Sequence, residues 1–332
     1  MMNPNSKERE VAIEAVWRAS RVCQEIRTHL ISAETIVKED RSPVTVADFS
    51  SQAIILHALR QRFPSDRFVA EESAADLMKQ NDASLPQRVF ANVRSVYPSM
   101  TDSEILSVLD SGGDPGGTAG RFWTLDPIDG TKGFLRGEQY AISLALIEDG
   151  ETRLGVLGCP NYPDNWHRPD KTKGLLLFAE KTQGTFARTF DDRREERVHV
   201  SDLSDCSQVV FCESVESGHS SHDVSRRIAE RLRITQPPVR IDSQCKYTAV
   251  ARGDASLYLR WPTRIDYEEK IWDHAAGAIV LTEAGGRVTD LRGEPLDFSQ
   301  GRTLSHNRGI IATCGSLHDD VLEAVREILP ST

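Results

Sequence analysis

The chain has 332 residues, 39% hydrophobic and 27% charged, with 40 Lys and Arg against 50 Asp and Glu for a formal charge of −10. This length suggests two domains at roughly 100–200 residues each, ample for a core without disulfide staples. The acidic balance excludes a nucleic-acid partner, which needs a basic face to displace phosphate counterions; a small anion remains possible where metals or local cations reverse the field.

From Lys7 to about Val37, Ala12, Ala15, Ala19, Val22, Ile26 and Leu30 recur at helical spacing between charges. A second helix is predicted over Thr45 to Arg62, where Pro64 blocks continuation. Phe68-Val69-Ala70 reads as a short strand ending at Glu71-Glu72. Residues 73–120 start polar, carry Pro86 and an amphipathic stretch near 102–110, and run into SGGDPGGTAG. That run lacks the GK[ST] ending of a P-loop and the dinucleotide spacing, so it reads as a linker or surface loop.

FWTLD, YAISLALIED, TRLGVLGCP and GLLLFAE follow as strands, with Asp149-Gly150 as a turn. The charge run DDRREER (191–197) reads as a solvated connection. Beyond it, strands VVFCE, SLYLRW and GIIATC alternate with helical stretches at 222–233, 272–284 and 317–329, an α/β texture. A boundary near residue 200 separates an α+β unit (1–199) from an α/β unit (200–332).

The six cysteines form no CxxC pair, which favours reduced, buried thiols. No apolar run approaches the ~18 residues of a membrane span, and the N-terminus has no apolar signal core. These features lead to an expectation of a cytoplasmic protein, with the nucleus an alternative, and no membrane partner.

The strongest local signal is Leu125-Asp126-Pro127-Ile128-Asp129-Gly130-Thr131. A strand runs into two carboxylates set three residues apart across a proline. Asp126, Asp129 and the Ile128 carbonyl offer the hard oxygen ligands that Mg²⁺ prefers, and Gly130 permits close backbone approach. A short helix beginning at Thr131 would point free N–H groups at an anion. The plain alternative is an Asx turn with Asp129 as a cap. Asp273, before AAGAIVLTEAGG, likewise reads as a helix N-cap when taken alone. Glu71 and Glu72 end a strand, and Asp48 sits inside a helical pattern.

Taken in order, VTVAD, AEES, LDPIDGT and WDHAAG resemble the signature of the inositol monophosphatase-like superfamily, Mg²⁺-dependent and lithium-sensitive phosphatases, over essentially the whole chain. GVLGCPNYP, SVESGHSSHD, DSQCKYTAVARGDASLYLRWP and EKIWDHAAG narrow the resemblance to the bisphosphate nucleotidase branch. The resemblance implies a layered α-β-α-β-α sugar-phosphatase fold with two subdomains. It implies removal of the 3′-phosphate of adenosine 3′,5′-bisphosphate (PAP), with action on PAPS and 2′,5′-bisphosphates. Inositol polyphosphate 1-phosphatase activity is the alternative enzyme reading. A nucleotide-binding protein without turnover is disfavoured, because every metal and water position is kept.

The same resemblance implies two or three Mg²⁺ ions held by Glu71, Asp126, the Ile128 carbonyl, Asp129 and Asp273. Asp48 and Thr131 are associated with the attacking water, and Gly130 and Thr131 with the phosphate. Gly218, His219, Ser243, Lys246 and Arg260 are implied to contact the nucleotide or its 5′-phosphate. Arg and Lys suit phosphate as a planar fork and a point charge, although by themselves Lys246 and Arg260 also read as surface residues. Tyr247 is a candidate to lie along the base, and Trp261 and Trp272 read as packing residues. Glu268 and Glu269 add acidity close to the site that could tune metal or substrate affinity in either direction. Nothing in the sequence fixes the oligomeric state; a monomer is compatible with it.

Overall fold

The computed structural model describes residues 6–32, 42–80, 82–163, 166, 174–203, 208–215, 222–262, 264 and 267–328. Helices α1 (Lys7–Ser32) and α2 (Ser42–Arg62) come first, then strand β1 (Arg67–Ala70). Three short helices follow: α3 (Ala74–Lys79), α4 (Leu85–Val96) and α5 (Asp102–Asp110). Pro86 does not interrupt this region. It sits in the first turn of α4, where its missing N–H costs nothing and its fixed φ suits a helix. Leu85, Val89, Phe90 and Val93 then form one buried face. Ser73 caps α3, and Thr101 with Glu104 forms a capping box on α5.

Strands β2 (Arg121–Asp129), β3 (Ala141–Glu148), β4 (Glu151–Cys159), β5 (Leu175–Glu180), β6 (Gly184–Thr189) and β7 (Glu196–Val198) join β1 in a seven-stranded sheet in sequential order. Helix α6 (Thr131–Arg136) interrupts the path from β2 to β3. β1 pairs in parallel with β2, and the remaining pairs are antiparallel. The glycine-rich run after α5 is more than a surface loop. Ala70 N donates to Gly112 O at 2.9 Å and Asp114 N to Phe68 O at 3.0 Å, so the run closes the outer edge of β1. The 191–197 charge run is exposed, as expected, although its end contributes to β7.

Strands β8 (Phe211–Glu213), β9 (Val239–Arg240), β10 (Leu257–Arg260), β11 (Arg287–Thr289) and β12 (Ile310–Thr313) form a five-stranded sheet in the order β11-β12-β10-β8-β9. Helices α7 (His222–Arg231), α8 (Cys245–Ala251), α9 (Ala275–Glu283) and α10 (His318–Ile328) complete the described chain. A single 3₁₀ turn, Ile271–Asp273, precedes α9.

The helices α1 and α2 cover one face of the large sheet, α8 and α9 lie between the sheets, and α7 and α10 cover the small sheet. The order of layers is therefore α-β-α-β-α, with an apolar core between each helix layer and its sheets. The middle layer packs unusually close. A side chain at Gly155 of β4 would lie 2.4 Å from Ile279 Cγ2 and 2.8 Å from Ala276 O of α9. The residues of α8 are all buried, which erases the amphipathic period that would have marked it. No helix among the described residues is long and apolar enough to cross a membrane.

Candidate active site

The end of β2 and the start of α9 meet the 242–247 segment around a cavity of about 390 Å³. Glu71, Asp126, Ile128, Asp129, Gly130, Thr131 and Asp273 line it, together with Ser243, Lys246 and Arg260. Every described residue expected in the metal and substrate sets therefore faces one space. Asp48 is the exception among the expected site residues. It is 9% exposed and is not among the residues lining the cavity, yet close enough that Glu72 and Glu71 repel its charge. Gly218 and His219 lie outside the described residues.

The Asp126–Asp129 turn is held by its own atoms and by its neighbours. Asp126 Oδ1 accepts from Ile128 N at 3.0 Å, and Ser51 Oγ of α2 donates to Pro127 O at 3.0 Å. Gly130 adopts φ +90 and caps α6; a Cβ there would lie 2.9 Å from Ser243 Cβ. Glycine is thus required both for the left-handed backbone and for contact with the 243 loop. Asp129 caps no helix. Its Oδ2 accepts from Gln244 N at 2.6 Å.

Asp273 is not the helix N-cap that it resembles when taken alone. It ends the 3₁₀ turn, and His274 occupies the cap position of α9 without a side-chain cap bond. The carboxylate is consequently available to the cavity. Gln52 fixes the β1 end by accepting from Glu72 N at 3.0 Å and donating to Glu72 O at 2.6 Å. Gln244 joins the other side. Its side chain donates to Ser143 Oγ at 2.7 Å and Trp272 O at 2.9 Å and accepts from Gly277 N at 3.0 Å.

The charge distribution is uneven. Burial raises the Asp126 carboxyl well above the usual range, and repulsion from Glu71, Asp129, Asp273 and Asp48 adds to it. Burial likewise raises Asp273 and Asp48. Glu71, the most exposed of the cavity acids, is raised by desolvation in the concavity and by Asp129, while a hydrogen bond to Asp126 pulls it down. This crowd of acids has a positive deficit, and its all-oxygen donor set fits hard divalent cations.

The cationic side is compensated within the protein. Lys246 is 4% exposed, and its Nζ lies 5.2 Å from the Tyr258 ring centre. Burial lowers its basicity, and Asp129 partly restores it. Arg260 Nε lies 2.7 Å from Glu269 Oε2. Burial alone would raise Glu269; the hydrogen bond from His274 and the charge of Arg260 outweigh it and bring the carboxyl to about 2. Lys246 and Arg260 are therefore not ordinary surface residues, and Glu269 has a partner for its charge. Tyr247 also lines the cavity, but it is 1% exposed and its hydroxyl is engaged with His274 Nδ1 at 2.9 Å. Tyr267 is 40% exposed at the same cavity, with its hydroxyl 3.5 Å from Arg260 Nη2.

A model of the inositol monophosphatase family matches residues 5–329. The chain belongs to this family. It is 42% identical to a 3′(2′),5′-bisphosphate nucleotidase of Schizosaccharomyces pombe, covering 97% of this chain and 95% of that one. Proteins with the same name from Emericella nidulans and Dictyostelium discoideum are each 41% identical, with 97% of this chain and 98% and 97% of theirs covered. The solved inositol monophosphatase from Anabaena superposes with a TM-score of 0.62 at 23% identity, over 97% of this chain and 96% of that one. That structural likeness establishes the family's layered fold in this member.

Sequence reasoning named Glu269 only as acidity near the site, and missed Gln52, Gln244, His274 and Tyr267 around this cavity. Glu269, Asp273 and His274 do place one ligand atom each within 4.8 Å of one another, but His274 and Glu269 are occupied with Tyr247, Arg260 and each other. For all of these but Gln52, the available signal was the density of polar residues in DSQCK and DYEEKIWDH, flanking the assigned positions.

Proposed function

We propose that the protein is a Mg²⁺-dependent phosphatase that hydrolyses the 3′-phosphate of PAP to give AMP, and also acts on PAPS and 2′,5′-bisphosphates. The observation that carries the reading is one cavity with an under-compensated carboxylate crowd on one side and Lys246 and Arg260 on the other. The names of the full-length relatives support the substrate class.

In this reading Glu71, Asp126, Asp129, Asp273 and the Ile128 carbonyl hold two or three Mg²⁺ ions. Bound divalent ions neutralise phosphate charge and make water more acidic. Thr131 and Asp48 orient the attacking water and take its proton. Phosphate ester hydrolysis asks little covalent chemistry of a protein, so positioning and charge stabilisation dominate. Gly130 and Thr131 contact the transferred phosphate. Lys246, Arg260 and Ser243 receive the 5′-phosphate and ribose, with Gly218 and His219 completing the set. Tyr267 offers the open ring face to the base. Lithium inhibition, a cytoplasmic setting and the division into subdomains near residue 200 belong to the same reading; the change from one sheet to the other between β7 and β8 supports the last.

The test is phosphate release by purified protein with Mg²⁺ from PAP, PAPS, a 2′,5′-bisphosphate and inositol 1,4-bisphosphate. PAP is expected to be among the best substrates. Good turnover of the inositol phosphate with none of PAP would transfer the assignment to an inositol polyphosphate 1-phosphatase.

A further inference from the structure

We propose that Arg302 is a positioning residue that sets the spacing between the Glu71 and Asp273 segments, and through it the affinity of the carboxylate crowd for divalent cations. The inference rests on the metal reading above.

Glu71 follows the last residue of β1, and Asp273 follows Trp272. These segments are 202 positions apart in the chain and carry ligands on different structural units. Arg302 contacts both. Its Nη2 donates to Ala70 O at 2.6 Å, and Nη1 donates to Gly112 O at 3.3 Å and Asp114 O at 3.2 Å. The guanidinium carbon lies 4.7 Å from the centre of the Trp272 ring.

The backbone around Arg302 is itself tied to the Asp273 segment. Ile271 N donates to Arg302 O at 3.2 Å, Leu304 N donates to Glu269 O at 2.8 Å, and Lys270 bridges to Thr303. The 302–304 backbone therefore moves with 269–271, while the side chain reaches the end of β1 and the run closing its edge. A planar guanidinium can bond three carbonyls and lie on an indole at once; an ammonium is a point donor and cannot reproduce the set.

Arg302 also places positive charge near Glu71. Charge alone would repel a cation, whereas positioning would favour its binding. The Arg302→Lys variant separates the two, because it keeps the charge and loses the fork. Misplaced supporting groups around a metal site typically weaken binding by about 10–100-fold.

The experiment titrates Mn²⁺ into metal-stripped protein and reads free Mn²⁺ by electron paramagnetic resonance, with circular dichroism to confirm the fold. Arg302→Lys is expected to bind at least about 10-fold more weakly, while KM for PAP at saturating Mg²⁺ stays near the parent value. Trp272→Phe, a milder change that keeps an aromatic ring, is expected to weaken Mn²⁺ binding by a few-fold and supplies the reading if Arg302→Lys does not fold. Folded Arg302→Lys, or Trp272→Phe in its place, that matches or exceeds parent Mn²⁺ affinity would overturn the inference alone. A parent protein that binds no Mn²⁺ would overturn the metal reading and the inference together.

Discussion

Asp126 and Lys246 line the same cavity and are both almost closed off from solvent, at 3% and 4% exposure. What surrounds them differs. Around Asp126 stand Glu71, Asp129, Asp273 and Asp48, all of its own sign. Around Lys246 stand Asp129 and Asp242, of opposite sign, with Arg260 as the opposing influence, and Arg260 in turn has Glu269. A protein does not leave like charges crowded at low dielectric without a compensating partner. In the proposed function the acidic side awaits cations from solution, whereas the basic side is arranged in advance for an anion.

The largest effect that can break this comparison is expected at Asp126. Asp126→Asn removes one of the repelling charges and a donor of the metal set. Hydrolysis of PAP should fall by more than about 100-fold, beyond the loss typical of groups that merely support metal ligands. The same variant should unfold at a higher temperature than the parent in EDTA, because burial and repulsion work against the parent's charge. An Asp126→Asn protein that retains parent turnover would remove this residue from the reaction.

The basic side predicts a smaller and more selective change. Lys246→Ala should raise KM for PAP by about 10–100-fold, the range for losing one hydrogen bond to a charged group. Its effect on 3′-AMP, which has no 5′-phosphate, should be much smaller. Equal losses on both substrates would place Lys246 elsewhere than the 5′-phosphate. Tyr267→Ala comes next, with KM for PAP raised about 5-fold, the lower range of base stacking on an aromatic ring. No change in KM would leave the base without this partner.

A separate effect, on stability and not on turnover, lies away from the cavity and serves as a control on general acid sensitivity. His318 is fully buried between Thr289 Oγ1 at 2.9 Å and Thr313 Oγ1 at 3.0 Å. Burial, aided by Arg287, lowers its pKa from 6.5 to about 4. The unfolded chain therefore binds the proton more readily than the folded one between these values. Stability contributed by neutral His318 is complete above about pH 6.5 and declines as pH falls toward 4. Denaturant unfolding at several pH values should show this slope, and His318→Asn should flatten it. An unchanged slope in the variant would assign the acid sensitivity to other groups.

Much of the acidic side was legible because its residues lie in compact motifs. Asp126, Ile128 and Asp129 share one turn, and Glu71 closes a short apolar strand, so local pattern and donor chemistry pointed the same way. The supports were not legible. Gln244 reaches Asp129 across 115 positions and Gly277 across 33, and such contacts leave no local period. Asp273 read as a helix cap because a carboxylate before a helix usually is one; the intervening 3₁₀ turn shifts the helix start past it. Tyr247 and Tyr267 line the same cavity but differ in exposure for a related reason. The former lies on the buried helix α8 and the latter on the approach to the 3₁₀ turn, a difference of tertiary position and not of residue type. Residues 73–120 gave no chemical signal in sequence, yet Pro86 sits in the first turn of helix α4 and begins it.

The central claim, that the carboxylate crowd is built for incoming cations, is tested most directly by calorimetric titration of Mg²⁺ into the metal-stripped protein. The expected result is uptake of two or three ions with a matching rise in unfolding temperature, both reduced in Asp126→Asn. A correctly folded parent protein that takes up no Mg²⁺ at millimolar concentration would contradict it.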